Sequence, residues 1–251
     1  MATAYFLSHN GLGDNISNIG AVRYLLKYYD TIFFLCKDIY VKNVCKLFNG
    51  LPVVIVSFDH TNESSECSRI INSTDSDRFI SGCHKSYLSS RIRSQHILDH
   101  VPTNIPLRYG HIEMFYNDIG LDTSIYIHYF DIESTEESKT LYENIQHLSI
   151  VFLHTKGSNR TICVGETVQM YESQPNYIII CANDNVYPID HPYYAIAKQY
   201  VNIPVADYID VIKRASIITV IDSCFSCIVY PLQLAGKLST EVITIREGSY
   251  I

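Results

Sequence analysis

The sequence predicts an α/β protein made of two Rossmann-like domains, each with a doubly wound parallel sheet. Continuous apolar runs, typical of strands buried on both faces, alternate with segments of helical periodicity. This alternation occurs twice, on either side of a change in character near residue 130. The 251 residues are enough for two compact halves of about 100 to 150 residues each. We therefore expect an N-terminal domain over residues 1–130 and a C-terminal domain over 131–251, facing a central cleft.

The first half begins with a buried strand, a glycine turn and a helix. Its predicted strands are 4–7, 31–36, 52–56 and 78–80. Its predicted helices are 16–26, 40–48, 87–98 and 109–119, the last ending at Gly120. Residues 59–107 are rich in Ser, Asn, Asp and His, and their periodicity is weak.

The second half repeats the pattern after a polar helix over 136–147. Its predicted strands are 149–153, 176–181, 217–221 and 241–245. Its further helices are 193–200, 207–215 and a segment that follows Asp222.

Composition excludes several classes of protein. The net charge is −7 and no stripe of Lys and Arg is present, which argues against a nucleic-acid partner. There is neither a signal-peptide pattern nor an apolar run of about 20 residues, so we expect a cytoplasmic protein without a membrane span. Cys36 and Cys181 lie in predicted buried strands, as reduced cysteines do. The pair Cys224 and Cys227 lacks a second pair at zinc-site spacing, and the histidines are scattered, so we predict no metal site and no cofactor.

Three polar turns follow predicted strands: 9–14, 154–160 and 222–226. In open parallel sheets, ligands bind outside the carboxyl ends of the strands. The sequence therefore places its candidate chemistry in these turns.

The first turn contains Gly11, Gly13 and Asp14, which allow a tight backbone turn at the start of a helix. It is not a dinucleotide fingerprint, because position 16 is Ile where the third glycine would stand. An ordinary helix cap explains the turn equally well. A carboxylate at this place can also take the proton of an attacking hydroxyl.

The second and third turns suit phosphate groups. The second contains Lys156 and Arg160 among hydroxyl and amide donors, although a solvated basic loop would have the same composition. In the third, small residues from Asp222 to Ser226 open a helix whose N–H groups and dipole favour an anion. An ordinary capped helix is the alternative there.

Two stretches resemble a known family. The turn 11–14 with the strand 32–36 resembles the N-terminal half of GT-B glycosyltransferases of the heptosyltransferase-like kind. The stretch 208–226, with Asp222 and Ser223 opening a helix, is similar to the donor-binding half of those enzymes. A Gly and then a His usually follow the Asp-Ser/Thr pair in that family, whereas Cys224, Phe225 and Ser226 stand here.

The resemblance implies a metal-independent transferase that uses a nucleotide sugar and a glycan or glycoconjugate acceptor. It implies that Asp14 is the general base of an inverting reaction. The expected acceptor-binding residues of the N-terminal domain are His9, Asn10, Gly11 and Gly13. The expected donor-binding residues of the C-terminal domain are His154, Lys156, Ser158, Asn159, Arg160, Asn183, Asp222, Ser223, Cys224, Phe225 and Ser226.

Two other functions remain open at this point. A nucleotide-sugar epimerase of the same two-domain layout would need ionisable groups from both halves, and His154, Glu166 and Asp14 are available. A sugar- or nucleotide-binding protein derived from a transferase would bind the donor without turnover.

Overall fold

The computed structural model describes residues 2–9, 11–93, 107 and 109–250. The chain divides into two compact units, residues 1–132 and residues 133–251. Each unit contains a four-stranded parallel sheet whose strands are separated in sequence by helices. This confirms the predicted parallel α/β class. No helix of the described residues has the length and apolarity needed to cross a membrane.

The N-terminal sheet consists of β1 (Thr3–Leu7), β2 (Thr31–Lys37), β3 (Val53–Phe58) and β4 (Asp77–Ile80). Its strand order is β3-β2-β1-β4, with all neighbours parallel. The last residues of β1 and the residues Phe34, Leu35 and Cys36 of β2 are buried in succession, because both faces of such a sheet are covered there. The helices of this unit are α1 (Leu12–Ser17), α2 (Ile19–Leu25), α3 (Val41–Leu47), α4 (Glu63–Asn72), α5 (Gly110–Asp118) and α6 (Ser124–His128).

The C-terminal sheet consists of β5 (Ser149–His154), β7 (Tyr177–Cys181), β8 (Ile217–Ile221) and β9 (Val242–Arg246) in the order β7-β5-β8-β9. Two further short strands, β6 (Arg160–Thr161) and β10 (Ser249–Tyr250), pair antiparallel. The central strands β5 and β8 are almost completely buried, as their continuous apolar sequences predict. The helices are α7 (Glu136–Glu143), α8 (Gly165–Tyr171), α9 (Tyr194–Ala197), α10 (Ile209–Arg214) and α11 (Ser226–Leu234).

Each sheet has a topological switch point, where the chain changes from adding strands on one side to adding them on the other. In the N-terminal sheet this point lies between β1 and β4. In the C-terminal sheet it lies between β5 and β8. Ligands of doubly wound folds bind outside the carboxyl ends of the strands at such points. The strand orders therefore single out the turns after β1, β4, β5 and β8.

The main difference from the sequence predictions lies between β3 and α5. The sequence missed α4, and the predicted helix 87–98 is not formed over residues 87–93. A short 3₁₀ helix, Gly82–Ser86, precedes that stretch, and Arg91 then pairs with Arg78 through two backbone hydrogen bonds of 2.9 Å. Those bonds hold Arg91 antiparallel to Arg78 of β4, so the backbone at Arg91 is extended and not helical. Residues 94–98 of the predicted helix lie outside the described residues.

Candidate functional site

The C-terminal unit brings two of the predicted turns together at its switch point. His154 is the last residue of β5, and Ser223 follows β8 by two positions. The Ser223 Oγ atom lies 3.1 Å from Nδ1 of His154, within hydrogen-bond distance. A Cβ atom added to Gly157 would lie 3.6 Å from Cβ of Ser223, so the backbone of the second turn passes close to the third. Turns 154–160 and 222–226 therefore form one surface.

Asn183 holds the second turn in place. This residue follows β7, and its Oδ1 atom accepts hydrogen bonds from the backbone N–H groups of Thr155 at 2.7 Å and Lys156 at 2.9 Å. The side chain thus fixes the backbone of the turn at the point where it leaves β5. Its hydrogen-bond partners are groups of Thr155 and Lys156 in the turn itself, so we expect its effect on a ligand to be indirect.

The two cations of the second turn both have partners within the protein. Lys156 Nζ lies 2.7 Å from Oδ2 of Asp184, and both side chains are about half exposed. Arg160 donates a 2.6 Å hydrogen bond to the Tyr250 hydroxyl and stacks on the same ring, with 4.5 Å from Cζ to the ring centroid. An exposed ion pair of this kind contributes about 0 to 1 kcal/mol. Lys156 can therefore exchange its carboxylate for a phosphate at small cost.

The start of α11 is organised by Ser226. Its hydroxyl accepts a hydrogen bond from Ser223 N at 3.0 Å and lies 2.8 Å from Oδ1 of Asp222. Asp222 and Ser226 are thus engaged with the turn itself. The turn residues Ser158, Asn159 and Cys224 were predicted as donor ligands from sequence, and their assignment stays a prediction.

Phe225 lies in the core beneath the turn. It is 4% exposed, and its ring packs on those of Phe152, His154 and Tyr208. The contact between the two rings helps to hold the imidazole of His154 in place.

His154 is buried and uncharged. It is 4% exposed, and burial lowers its pKa to about 4. A neutral imidazole can accept a hydrogen bond from the Ser223 hydroxyl at one nitrogen and donate through the other.

The pKa of His154 makes a prediction for stability against pH. An unfolded His has a pKa of about 6.5, so between pH 6.5 and about 4 the unfolded chain binds a proton that folded His154 does not. The free energy of unfolding should therefore fall as the pH falls through this window. When the pH falls from 7 to 4.5, the free energy of unfolding of the native protein should decrease by about 2–3 kcal/mol more than that of His154→Asn. Urea unfolding of both proteins at a series of pH values measures this difference. If the free energy of unfolding of the two proteins changed with pH in the same way, the lowered pKa of folded His154 would be contradicted.

In the N-terminal unit, Asp14 stands at the third position of α1. Its Oδ2 atom accepts a hydrogen bond from Gly11 N at 2.7 Å, which caps the helix. A Cβ atom at position 11 would lie 3.0 Å from this oxygen, so glycine permits the close approach. The side chain is half-buried. Asp14 therefore does cap the helix, as one of the two interpretations of the turn expected. The cap uses Oδ2, so Oδ1 of the same carboxylate can still accept a proton.

The turns after β1 and β4 also meet. His9 accepts a 2.8 Å hydrogen bond from Cys83 N through Nδ1, so its proton is on Nε2 in the neutral form. Gly82 has φ +71°, and a Cβ atom there would lie 2.3 Å from Nδ1 of His9. Only glycine fits at position 82. Of the other predicted acceptor residues, Gly13 accepts a hydrogen bond from Ser17 Oγ through its carbonyl oxygen, and Asn10 lies outside the described residues.

Sequence reasoning missed a polar cluster beside this turn. It contains Glu63 at the start of α4 together with Cys83 and His84 after β4. Burial lowers the pKa of His84 to about 4, and Lys37 at the end of β2 forms a 2.9 Å ion pair with Glu63. No spacing in the sequence signals this cluster, because the fold brings its members together from the segments that follow two different strands, β3 and β4.

Comparison with solved structures places the whole chain in one fold. A glycosyltransferase family 9 protein from Veillonella parvula matches with a TM-score of 0.55 and 12% identity, over 97% of this chain and 86% of that one. The Escherichia coli ADP-heptose LPS heptosyltransferase II matches with a TM-score of 0.55 and 7% identity, over 97% and 84%.

The chain has the heptosyltransferase-like glycosyltransferase fold. The likeness agrees with the fold that the resemblance of the two sequence stretches implies. A third structure with this fold is E. coli heptosyltransferase WaaC with ADP-2-deoxy-2-fluoro heptose, at a TM-score of 0.50 and 8% identity, covering 97% of this chain and 92% of that one. At the level of sequence, neither a protein-family model nor a curated protein matches the chain. The likeness is therefore one of fold.

Proposed function

We propose that the protein is a glycosyltransferase that moves a sugar from a nucleoside-diphosphate sugar to a hydroxyl group of a glycan or other acceptor. The observation that carries the proposal is the contact between His154 and Ser223 at the switch point of the C-terminal sheet. Two loops that are 69 residues apart in sequence meet where a doubly wound fold binds its ligand. The fold shared with family 9 glycosyltransferases and heptosyltransferases supports the same function.

The chemistry of this surface suits a diphosphate. The N-terminus of α11, a nine-residue helix, supplies a partial positive charge and N–H donors. Ser223 adds a hydroxyl group, and Lys156 adds a point charge whose present ion pair is weak. Together these groups can stabilise part of the negative charge of a diphosphate, both in the ground state and as a leaving group. We propose that they do so without a metal ion.

Asp14 is the proposed general base. Its carboxylate is held by the Gly11 N–H group and is only half-buried, so it is oriented and accessible. In the proposed step the acceptor oxygen attacks the anomeric carbon as its proton passes to Asp14. The bond between that carbon and the diphosphate oxygen breaks, and its electron pair leaves with the nucleoside diphosphate. One displacement at the carbon inverts its configuration.

The donor sugar is not fixed by these residues. The solved structure of WaaC contains an ADP-heptose analogue. This chain has Cys224 and Phe225 where that family usually has Gly and His, and Phe225 is buried. We therefore propose a nucleoside-diphosphate sugar as the donor class. The nucleobase can be identified by a nucleotide-binding screen, and the sugar by testing the corresponding nucleotide sugars.

Nucleotide binding tests the proposal directly. We expect one of ADP, GDP or UDP to raise the melting temperature, because a ligand that binds only the folded state stabilises it by about 2.7 kcal/mol at 100 times its Kd. Ser223→Ala should weaken that nucleotide about tenfold or more, as loss of a hydrogen bond to a charged group does. Ser239→Ala, at an exposed position of the same unit, is the matched control and should bind as the native protein does. An unchanged melting temperature with all three nucleotides at millimolar concentration would refute the proposal.

A further inference from the structure

The cluster at the carboxyl edge of the N-terminal sheet has the chemistry of a metal site. A carboxylate oxygen of Glu63, Sγ of Cys83 and a ring nitrogen of His84 all lie within 4.8 Å of one another. These atoms are a carboxylate oxygen, a thiol sulfur and an imidazole nitrogen, which together form a ligand set that zinc accepts. The site lies in the unit that does not carry the proposed diphosphate surface, so the inference does not depend on the proposed function.

The state of His84 is the second observation that points to a ligand. Its side chain is 1% exposed, and Nε2 is buried without a hydrogen bond of acceptable geometry among the described residues. Oε1 of Glu63 lies 3.5 Å from it, and the backbone of Ser8 also interacts with the ring. Buried polar atoms normally have a partner, and an unsatisfied one costs about 1–3 kcal/mol. The other ring nitrogen, Nδ1, lies 2.6 Å from the Tyr87 hydroxyl. When Nδ1–H donates to that hydroxyl, Nε2 carries a lone pair directed into the cluster.

The spacing of Glu63 and His84 agrees with tetrahedral zinc. Zinc bonds of about 2.0–2.3 Å put neighbouring ligand atoms about 3.4–3.6 Å apart. Oε1 of Glu63 is already 3.5 Å from Nε2 of His84. Lys37 binds the other Glu63 oxygen, Oε2, at 2.9 Å, which orients the carboxylate toward the imidazole. Small movements of Cys83, which is exposed, would complete the coordination.

The backbone holds the ligands from two elements in position. Glu63 begins α4 after β3, whereas Cys83 and His84 follow β4. The Cys83 N–H group donates to His9, and Gly82 is required for that contact. The turn is thus fixed independently of any metal.

We propose that Glu63, Cys83 and His84 bind a zinc ion beside the turn that follows β1. Three protein ligands leave a fourth position, which water or a hydroxyl group of a ligand can occupy. Cys83 and Glu63 neutralise the two charges of the ion when the thiol is deprotonated.

Zinc and cobalt binding to the full-length protein, stripped with EDTA, tests this proposal. We expect one equivalent of zinc to bind at this cluster and to raise the melting temperature. Cobalt in its place should give a cobalt–thiolate charge-transfer absorption in the near ultraviolet. Cys83→Ser should abolish that absorption and weaken zinc at least tenfold, and Glu63→Gln should weaken zinc while leaving the absorption. Both residues are at least partly exposed, so these variants avoid replacing buried His84.

Two controls separate this cluster from other metal-binding groups. Cys45→Ser changes an exposed thiol of the same unit, and Asp59→Asn changes the exposed group Asp38, Asp59 and His60. Both should bind zinc and cobalt as the native protein does. Retention of the thiolate absorption in Cys83→Ser, or loss of zinc in Asp59→Asn alone, would overturn the proposal. Absence of zinc binding by the native protein would also overturn it.

Discussion

Asp14→Asn should lower the rate of sugar transfer by about 10²- to 10⁴-fold, because a positioned general base contributes a factor of that size. Nucleotide affinity should stay near the native value, since the proposed diphosphate surface is formed by the C-terminal unit. The fold should also persist, because an amide oxygen can still accept the hydrogen bond that Gly11 N donates at 2.7 Å. Initial rates with the donor found in the binding screen, together with Kd from the same screen, measure both effects.

Asp75→Asn is the matched control for this experiment. Asp75 belongs to the same unit, and its side chain is 98% exposed. We expect native rates from this variant. Loss of activity in both variants would indicate a general effect of charge and would remove Asp14 from the mechanism.

The same experiment separates the three functions that the sequence allows. A transferase loses turnover in Asp14→Asn and keeps donor binding. A binding protein derived from a transferase shows donor binding without turnover in both the native and the variant forms. An epimerase converts the nucleotide sugar with no acceptor present, which product analysis detects.

Strand positions could be predicted because each buried strand is a continuous apolar segment. The runs at 31–36 and 217–221 correspond to β2 and β8 within one residue at each end. Helices such as α4 were harder to predict. Only Cys67 and Ile71 of α4 are fully buried, so most of its surface is polar and its periodicity is weak. Local sequence is informative where burial is extensive.

The site was only partly predictable for a related reason. Turns 154–160 and 222–226 could be found because each follows a recognisable strand, and parallel strands end at one edge of the sheet. Their contacts could not be found, since pairing Lys156 with Asp184 and Arg160 with Tyr250 depends on tertiary packing. The cluster of Glu63, Cys83 and His84 depends entirely on strand order, which no spacing in the sequence reveals.

Phe225→Ala should destabilise the protein by about 3–5 kcal/mol, the usual cost of removing a buried aromatic ring. The ring is 4% exposed, and its centroid lies 5.3 Å from Phe152, 5.2 Å from Tyr208 and 4.5 Å from His154. The cavity left by alanine would remove the support beneath His154 and the first residues of α11. The midpoint of urea unfolding measures the loss.

Phe225→Leu distinguishes packing from direct contact with a ligand. Leucine retains most of the apolar volume and should cost less than about 1.5 kcal/mol. If Phe225 acts through packing, the variant that loses more stability should also lose more nucleotide affinity. Phe225→Ala should then bind weakly, and Phe225→Leu should bind almost as the native protein does. If it touches the donor as the sequence predicted, both substitutions remove the aromatic face, and affinity falls in both while Phe225→Leu keeps its stability. The burial of the ring favours the first result, because a side chain enclosed by three other rings has little surface left for a ligand.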